Sequence, residues 1–366
     1  MSTPTSLDLP DGVRRTTIST SRGAFAALEA VPASGVCDRD AALLLPGYTG
    51  SKEDFLAILD LLADGSRRVV AIDMRGQFET PGARESDGYL ASALGADVAA
   101  VIEATGAKHL LGHSYGGLVA RETVLAGVRG ASFTLMSSGP GALTGARAKE
   151  LRAMLSALGV RDGTTPDRAA LAAGIWKLWQ ARLEPQAVTA GVPAPIVAFL
   201  AERMLGNDPH GLVLMAQHML TAPDRTAELA RLSGLPTLVI YGENDNAWSP
   251  AAQETMARRL GARRVCIPGA VHSPAVEAPA TTADALTHFW DEAETIAARR
   301  PAKTAVMPLR GLAVRAGAGS VLPVRLPLRA VRRKPTRGAP GARRSWMILA
   351  PRKVVWTIVH QTLRQT

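Results

Sequence analysis

The 366 residues predict an α/β fold: a mostly parallel sheet with helices on both faces and a helical lid inserted between two strands. Three observations carry this. Short continuous apolar runs alternate with helical stretches, as expected of strands buried on both faces. A Gly-x-Ser-x-Gly turn, Gly112-His113-Ser114-Tyr115-Gly116, lies between an apolar strand end and a small-residue helical run. From about Gly139 to Ala230 no strand signal occurs, and strands then resume.

Taken in order, Arg15 to Thr20 and Ala24 to Ala30 read as two short strands joined at Ser21-Arg22-Gly23. Ala41 to Leu45 is a buried strand ending in Pro46-Gly47-Tyr48-Thr49-Gly50, and a helix follows from Ser51 through Leu62. Arg68 to Ile72 is the next strand and ends in Asp73-Met74-Arg75-Gly76; a helix runs from about Tyr89 to Ala104. His109 to Leu111 leads into the serine turn, and Phe133 to Met136 is a further strand. After the helical stretch come strands at Pro236 to Tyr241 and Arg264 to Ile267, and a last helix from about Thr281 to Ala298. Residues 1–138 and 231–300 are therefore expected to form the core and 139–230 the lid. An all-helical insertion between strands of one parallel sheet belongs over their C-terminal ends, where ligands bind.

The net charge of +10 is not a property of this body. Residues 301–366 hold 14 Lys and Arg and no Asp or Glu, so 28 bases face all 32 acids in the first 300 residues. The body is mildly acidic, and the domain reads as complete by about Ala298. The Pro-, Gly- and Arg-rich tail is expected to be disordered; the sharper alternative is a polybasic arm that contacts nucleic acid or an anionic membrane surface. Cys37 and Cys266 form no disulfide framework or metal spacing. No signal peptide or spanning segment is evident, so a cytoplasmic location is expected. Neither a metal nor a cofactor is expected, because the glycines at 112–117 serve a turn and no phosphate loop is present. The expected partner is a small-molecule substrate, and oligomeric state is left open.

The chemistry starts at Ser114. A serine in a tight strand-to-helix turn needs small neighbours two positions away on each side, which Gly112 and Gly116 supply. A hydroxyl is a poor nucleophile until a base, itself oriented by an acid, takes its proton. Asp245 follows one later strand in Gly242-Glu243-Asn244-Asp245, and His272 follows the next in Gly269-Ala270-Val271-His272-Ser273-Pro274. The order Ser114, Asp245, His272 makes these the candidate nucleophile, acid and base. Glu243 is the competing acid. Tyr115, directly after the nucleophile, supplies one backbone N–H for an oxyanion hole.

From about Arg15 to Ala298 the chain resembles the α/β-hydrolase superfamily in its serine-nucleophile, helical-lidded branch. The resemblance rests on residues 46–50, 73–76, 112–116, 242–245 and 269–274, five motifs in order at strand ends. It implies that Tyr48 provides the second oxyanion N–H. The family often has His-Gly where this chain has Pro46-Gly47, which removes a side chain that would brace that loop. Asp73 and Arg75 are expected to hold a loop. Trp176 and Trp179 either line an apolar pocket or pack the lid onto the body. The function expected is cleavage of a carboxylic ester, lactone or thioester of a small to medium apolar substrate through an acyl-enzyme. The alternatives are carbon–carbon bond hydrolysis or acyl transfer by the same triad, and a non-catalytic binding protein on the same fold.

Overall fold

A computed structural model describes residues 2–161, 164–232 and 234–299; the basic segment 301–366 lies outside the described residues. Eight strands make one sheet: β1 (Val13–Thr20), β2 (Gly23–Ala30), β3 (Arg39–Leu45), β4 (Arg67–Ile72), β5 (His109–His113), β6 (Ser132–Met136), β7 (Thr237–Gly242) and β8 (Arg263–Ile267). Their spatial order is β1-β2-β4-β3-β5-β6-β7-β8. β1 and β2 form a hairpin closed at Thr20 and Gly23, and β2 runs antiparallel to β4. Every other neighbouring pair is parallel.

The apolar runs behave as strands buried on both faces should. Leu43, Leu45, Val70 and Ile72 enter one core layer with Leu94, Val98 and Val101 of α2 (Ala91–Thr105) and Leu118 and Val119 of α3 (Tyr115–Leu125). Their neighbours Ala42, Leu44, Val69 and Ala71 enter the other layer. There they meet Ile58, Leu59 and Leu62 of α1 (Leu56–Ala63) and Leu286, Phe289 and Trp290 of α12 (Pro279–Arg299). Side chains alternate faces along a strand, so one uninterrupted run feeds both layers.

Between β6 and β7 the chain is helical: α4 (Gly145–Ala157), α5 (Arg168–Leu178), a π-helical turn (Trp179–Leu183), α6 (Glu184–Thr189), α7 (Ala194–Gly206), α8 (Pro209–Thr221) and α9 (Thr226–Ala230). After β7 come α10 (Pro250–Leu260) and, past β8, the single turn α11 (Pro274–Glu277). The described residues cluster as one compact unit. Among them, no helix is long and apolar enough to cross a membrane.

One buried polar network ties α12 to the sheet. Arg67 is fully buried; its Nη1 donates to Glu294 Oε1 and its Nη2 to Asp291 Oδ1, each at 2.7 Å. Its guanidinium also lies over the Trp290 ring. Ser132 Oγ lies 2.8 Å from His109 Nδ1, and His109 Nε2 lies 3.0 Å from Glu294 Oε1. Partial burial alone would raise the Glu294 carboxyl pKa. Hydrogen bonds from His109 and Arg67, with the Arg67 charge, outweigh that and bring it down to about 2.

A carboxyl depressed in this way stabilises the fold above its unfolded pKa of about 4.3. That contribution is lost as pH falls toward 2. Glu294→Gln is therefore expected to be less stable than the wild type at pH 7, with the gap closing between about pH 4.3 and 2. Urea unfolding of both proteins at several pH values across that window checks this; a constant gap would contradict it.

Candidate active site

Because β3, β5, β6, β7 and β8 are parallel, the loops that follow them emerge at one sheet edge. Gly112 of β5 pairs with Leu45 of β3 on one side and Leu135 of β6 on the other. The loops after β3 and β5 are thus neighbours, and those after β7 and β8 lie further along.

Ser114 alone connects β5 to α3. Its φ of 53° and ψ of −119° form a conformation that an L-residue adopts only when its surroundings impose it. Those surroundings are backbone. A Cβ on Gly112 would collide with the Gly116 carbonyl, and one on Gly116 would stand 2.5 Å from the Pro46 oxygen. β5, α3 and the loop after β3 therefore close around the serine without room for another carbon.

The three candidate residues meet. Ser114 Oγ lies 3.0 Å from His272 Nε2, and His272 Nδ1 lies 2.9 Å from Asp245 Oδ1. Asp245 is buried and its carboxylate is filled: Oδ1 also accepts from the Ala247 N–H at 2.9 Å, and Oδ2 accepts from Gln253 Nε2 at 2.8 Å. With its acceptors occupied in this way, the carboxylate holds one orientation toward the imidazole. Glu243 sits elsewhere, accepting from the Gly269 N–H at 2.9 Å, so it braces the histidine loop. The same two loops are stitched by Glu243 N–H to Ile267 O (3.0 Å) and Asn244 N–H to Ala270 O (2.9 Å).

His113, adjacent to the serine, reaches across to that loop. Its Nε2 lies 2.8 Å from the His272 carbonyl oxygen, a contact that requires the proton on Nε2. Burial lowers the His113 pKa to about 3, and the nearby His272 pushes it the same way, so this ring is a neutral donor.

The loop after β3 packs directly on the serine: a Cβ on Gly47 would stand 3.0 Å from Ser114 Cβ. Among the described residues, no acceptor bonds the Tyr48 backbone N–H. The Tyr115 N–H heads α3, where first-turn donors have no intrahelical acceptor. The brace that Pro46 does not provide comes from Gln77. Its Nε2 donates to the Gly47 carbonyl at 2.8 Å, while its Oε1 accepts from the Met74 N–H at 3.0 Å. The Tyr48 hydroxyl adds a bond to the Leu212 carbonyl of α8 at 3.0 Å.

Asp73 and Arg75 do not pair with each other. Asp73 is buried and accepts from the Lys52 N–H and Nζ, both at 2.8 Å, whereas Arg75 Nη2 donates to Asp97 at 2.8 Å. Both hold loops. The tryptophans depart from either expectation as a pair: Trp179 is buried, Trp176 is exposed, and neither borders the cavity at Ser114.

That cavity has a volume of about 290 Å³. Gly47, Tyr48, Ser114 and His272 form one part of its wall. The helical insertion contributes Leu151, Met154, Leu178, Leu183, Met204 and Met219. Leu178 and Leu183 are five residues apart, and the π-helical turn between them is what brings both to one face. The insertion also contributes Arg147, Glu150, Arg182 and Gln186, and Trp248 lines the cavity with its indole N–H donating to the Gly141 carbonyl at 3.0 Å. Sequence reasoning missed Trp248, Gln77 and Gln253. Only Trp248 had a signal, three residues beyond Asp245 in the same loop.

Comparison with known proteins identifies the family. Residues 42–285 match the alpha/beta hydrolase family, a span that contains all five motifs. A hydrolase from Pseudomonas aeruginosa PA01 shares 26% identity over 75% of this chain and 98% of its own, with a TM-score of 0.56. An esterase from Thermogutta terrifontis has the same fold at 23% identity, covering 76% of this chain and 99% of its own, with a TM-score of 0.57. The protein of Variovorax paradoxus named "Putative carbamate hydrolase RutD" is 36% identical over 93 residues. That alignment spans 25% of this chain and 35% of the relative's length. The chain belongs to the alpha/beta hydrolase family and is an enzyme of that hydrolase type.

Proposed function

We propose that the protein is a serine hydrolase that cleaves a carboxylic ester, lactone or thioester of a small to medium, largely apolar substrate through an acyl-enzyme. One observation carries this reading: the contacts of 3.0 and 2.9 Å that link Ser114, His272 and Asp245 end at a strained serine on the wall of a cavity whose lining is more apolar than polar.

Ser114 Oγ attacks the carbonyl carbon as His272 Nε2 takes its proton. Asp245 fixes the proton of the neutral imidazole on Nδ1 and stabilises the imidazolium that forms. The carbonyl oxygen becomes an oxyanion facing the Tyr48 and Tyr115 N–H groups. The carbon–oxygen or carbon–sulfur bond to the leaving group breaks, and His272 returns the proton to the departing atom. A water molecule then repeats the sequence on the acyl-enzyme, releasing the acid and Ser114. In this reading the insertion, residues 139–230, is the lid: its Leu and Met side chains enclose the substrate and exclude water. The cytoplasm is the compartment we assign to this reaction.

A series of p-nitrophenyl esters from acetate to decanoate tests the reading. Ser114→Ala and His272→Ala are expected to lose about 10³-fold or more of kcat, with folding retained. A serine-directed fluorophosphonate should label the wild type once per chain and leave Ser114→Ala unlabelled. Near-full turnover by His272→Ala would refute the triad, and an unlabelled wild type would favour a binding protein.

Gln253→Leu tests the setting of the acid. Removing one buried hydrogen bond to a carboxylate is worth about 1.5 kcal/mol, or roughly a tenfold fall in kcat, with KM little changed. Steady-state kinetics on the best ester of the series read this directly. An unchanged kcat would show that Asp245 needs no support from α10.

A further inference from the structure

The wall of the cavity at Ser114 carries charges that the proposed chemistry does not use, and all but one of them are balanced. On α4, Arg147 pairs with Glu150 at 3.2 Å and also donates from Nη2 to Asn246 Oδ1 at 2.9 Å. Asp54, buried in the same wall, pairs with the buried Arg203 at 2.7 Å. Outside the triad, the charged side chain that remains is Arg182, in the π-helical turn Trp179–Leu183. It is exposed, and among the described residues it makes no ion pair and its side chain no hydrogen bond.

An exposed arginine is hydrated and needs no partner for stability, so the position of Arg182 is what matters. Leu178, Arg182 and Gln186 recur every fourth residue along the helical run from α5 into α6, and all three line the cavity. The wall on this side therefore passes from an apolar side chain to a cation and then to an amide. Facing substrate, the guanidinium offers a planar fork that fits a carboxylate with two parallel hydrogen bonds, and Gln186 can add an amide donor. One unbalanced positive charge is matched by one carboxylate. A cationic substrate would be repelled there, and a neutral one would leave the fork to water.

Resting on the serine-hydrolase reading, we propose that the substrate is an ester, lactone or thioester that also carries a carboxylate, and that Arg182 is the specificity-determining residue that receives it. The scissile carbonyl lies at Ser114, and the apolar chain between the two groups lies along Leu151, Met154, Leu178 and Leu183. Arg182 acts in binding alone and takes no part in the bond that breaks.

Matched esters test this in the full-length protein at about pH 8, where a free carboxyl is ionised. The monoethyl esters of succinic, glutaric, adipic and pimelic acids place the carboxylate on the acyl side. The butyryl esters of glycolic and 3-hydroxypropionic acids place it on the alcohol side. Each is compared with its primary amide, which has the same shape and no charge. For at least one pair, the wild type should favour the carboxylate by about 5-fold or more in kcat/KM, expressed mainly in KM. Because Arg182 is exposed, that preference should shrink as salt rises from about 0.01 M to about 1 M. Arg182→Gln should abolish it, and Arg182→Glu should turn it toward the amide. Circular dichroism and fluorophosphonate labelling of Ser114 report whether each variant is folded with its site intact; the salt dependence needs no variant. Equal kcat/KM in every wild-type pair, a preference indifferent to salt, or its persistence in Arg182→Gln would overturn the proposal. If no ester is turned over, the serine-hydrolase reading fails by itself. The role of Arg182 is then read from calorimetric binding of the same pairs, where affinities no higher for the carboxylates than for the amides refute it.

Discussion

The structure depends on one backbone constraint, the left-handed conformation of Ser114. Such a conformation costs on the order of 1–3 kcal/mol and persists only where its surroundings over-determine it. Here three backbone segments do so, since Gly112, Gly116 and the Pro46 carbonyl leave no space for an added carbon. Each segment is fixed in turn by the sheet: β3 and β5 pair at Leu45 and Gly112, and α3 leaves from the end of β5. The two buried core layers hold that register, because a shift of one residue would exchange every side chain between them. The strain is thus stored where the hydroxyl must be presented, and apolar packing elsewhere sustains it.

The same parallel register explains why residues so distant in sequence can meet. Asp245 and His272 lie 131 and 158 positions beyond Ser114, yet all three follow strands that point the same way. Placement at one edge brings them near, and the final adjustment is made by hydrogen bonds that the triad residues do not make among themselves. Gln253 turns the Asp245 carboxylate, Glu243 holds the turn at Gly269, and His113 ties the nucleophile's strand to the His272 backbone. The loop after β3 is adjusted in the same manner by Gln77. A residue outside the reaction thus sets each loop that the proposed mechanism uses.

This division also separates what was legible in the sequence from what was not. Central strands buried on both faces are written as continuous apolar runs, β1 and β8 are more exposed and mixed in sequence, and all eight were readable with bounds shifted by one or two residues. The serine turn and the acid and histidine after later strands were readable for the same reason, since chemistry at strand ends follows from topology. The antiparallel attachment of β2 to β4 had no such signal, because pairing direction is set by connections across the sheet. Gln77, Gln253 and the long reach of His113 were not legible either. A glutamine on a helix looks like any surface glutamine until tertiary packing buries it beside a carboxylate. The Trp176 and Trp179 pair shows the converse: helical spacing suggested a shared role, but only Trp179 is buried, and the following π-helical turn presents Leu178 and Leu183 to the cavity.

In the proposed mechanism the reacting residues and most of the surrounding cavity wall sit on different parts of the chain. The residues proposed to break the bond are held by the sheet, where register and two packed core layers resist change. Much of the rest of the cavity wall comes from helices between β6 and β7, whose contacts with the body can vary without altering the strand register. The Asp54–Arg203 ion pair crosses that boundary: Asp54 follows β3 on the core, and Arg203 lies on α7 of the insertion. Replacing a buried ion pair with apolar side chains of similar volume is often neutral or stabilising, so such a pair joins the insertion to the core without adding much to the stability of the fold.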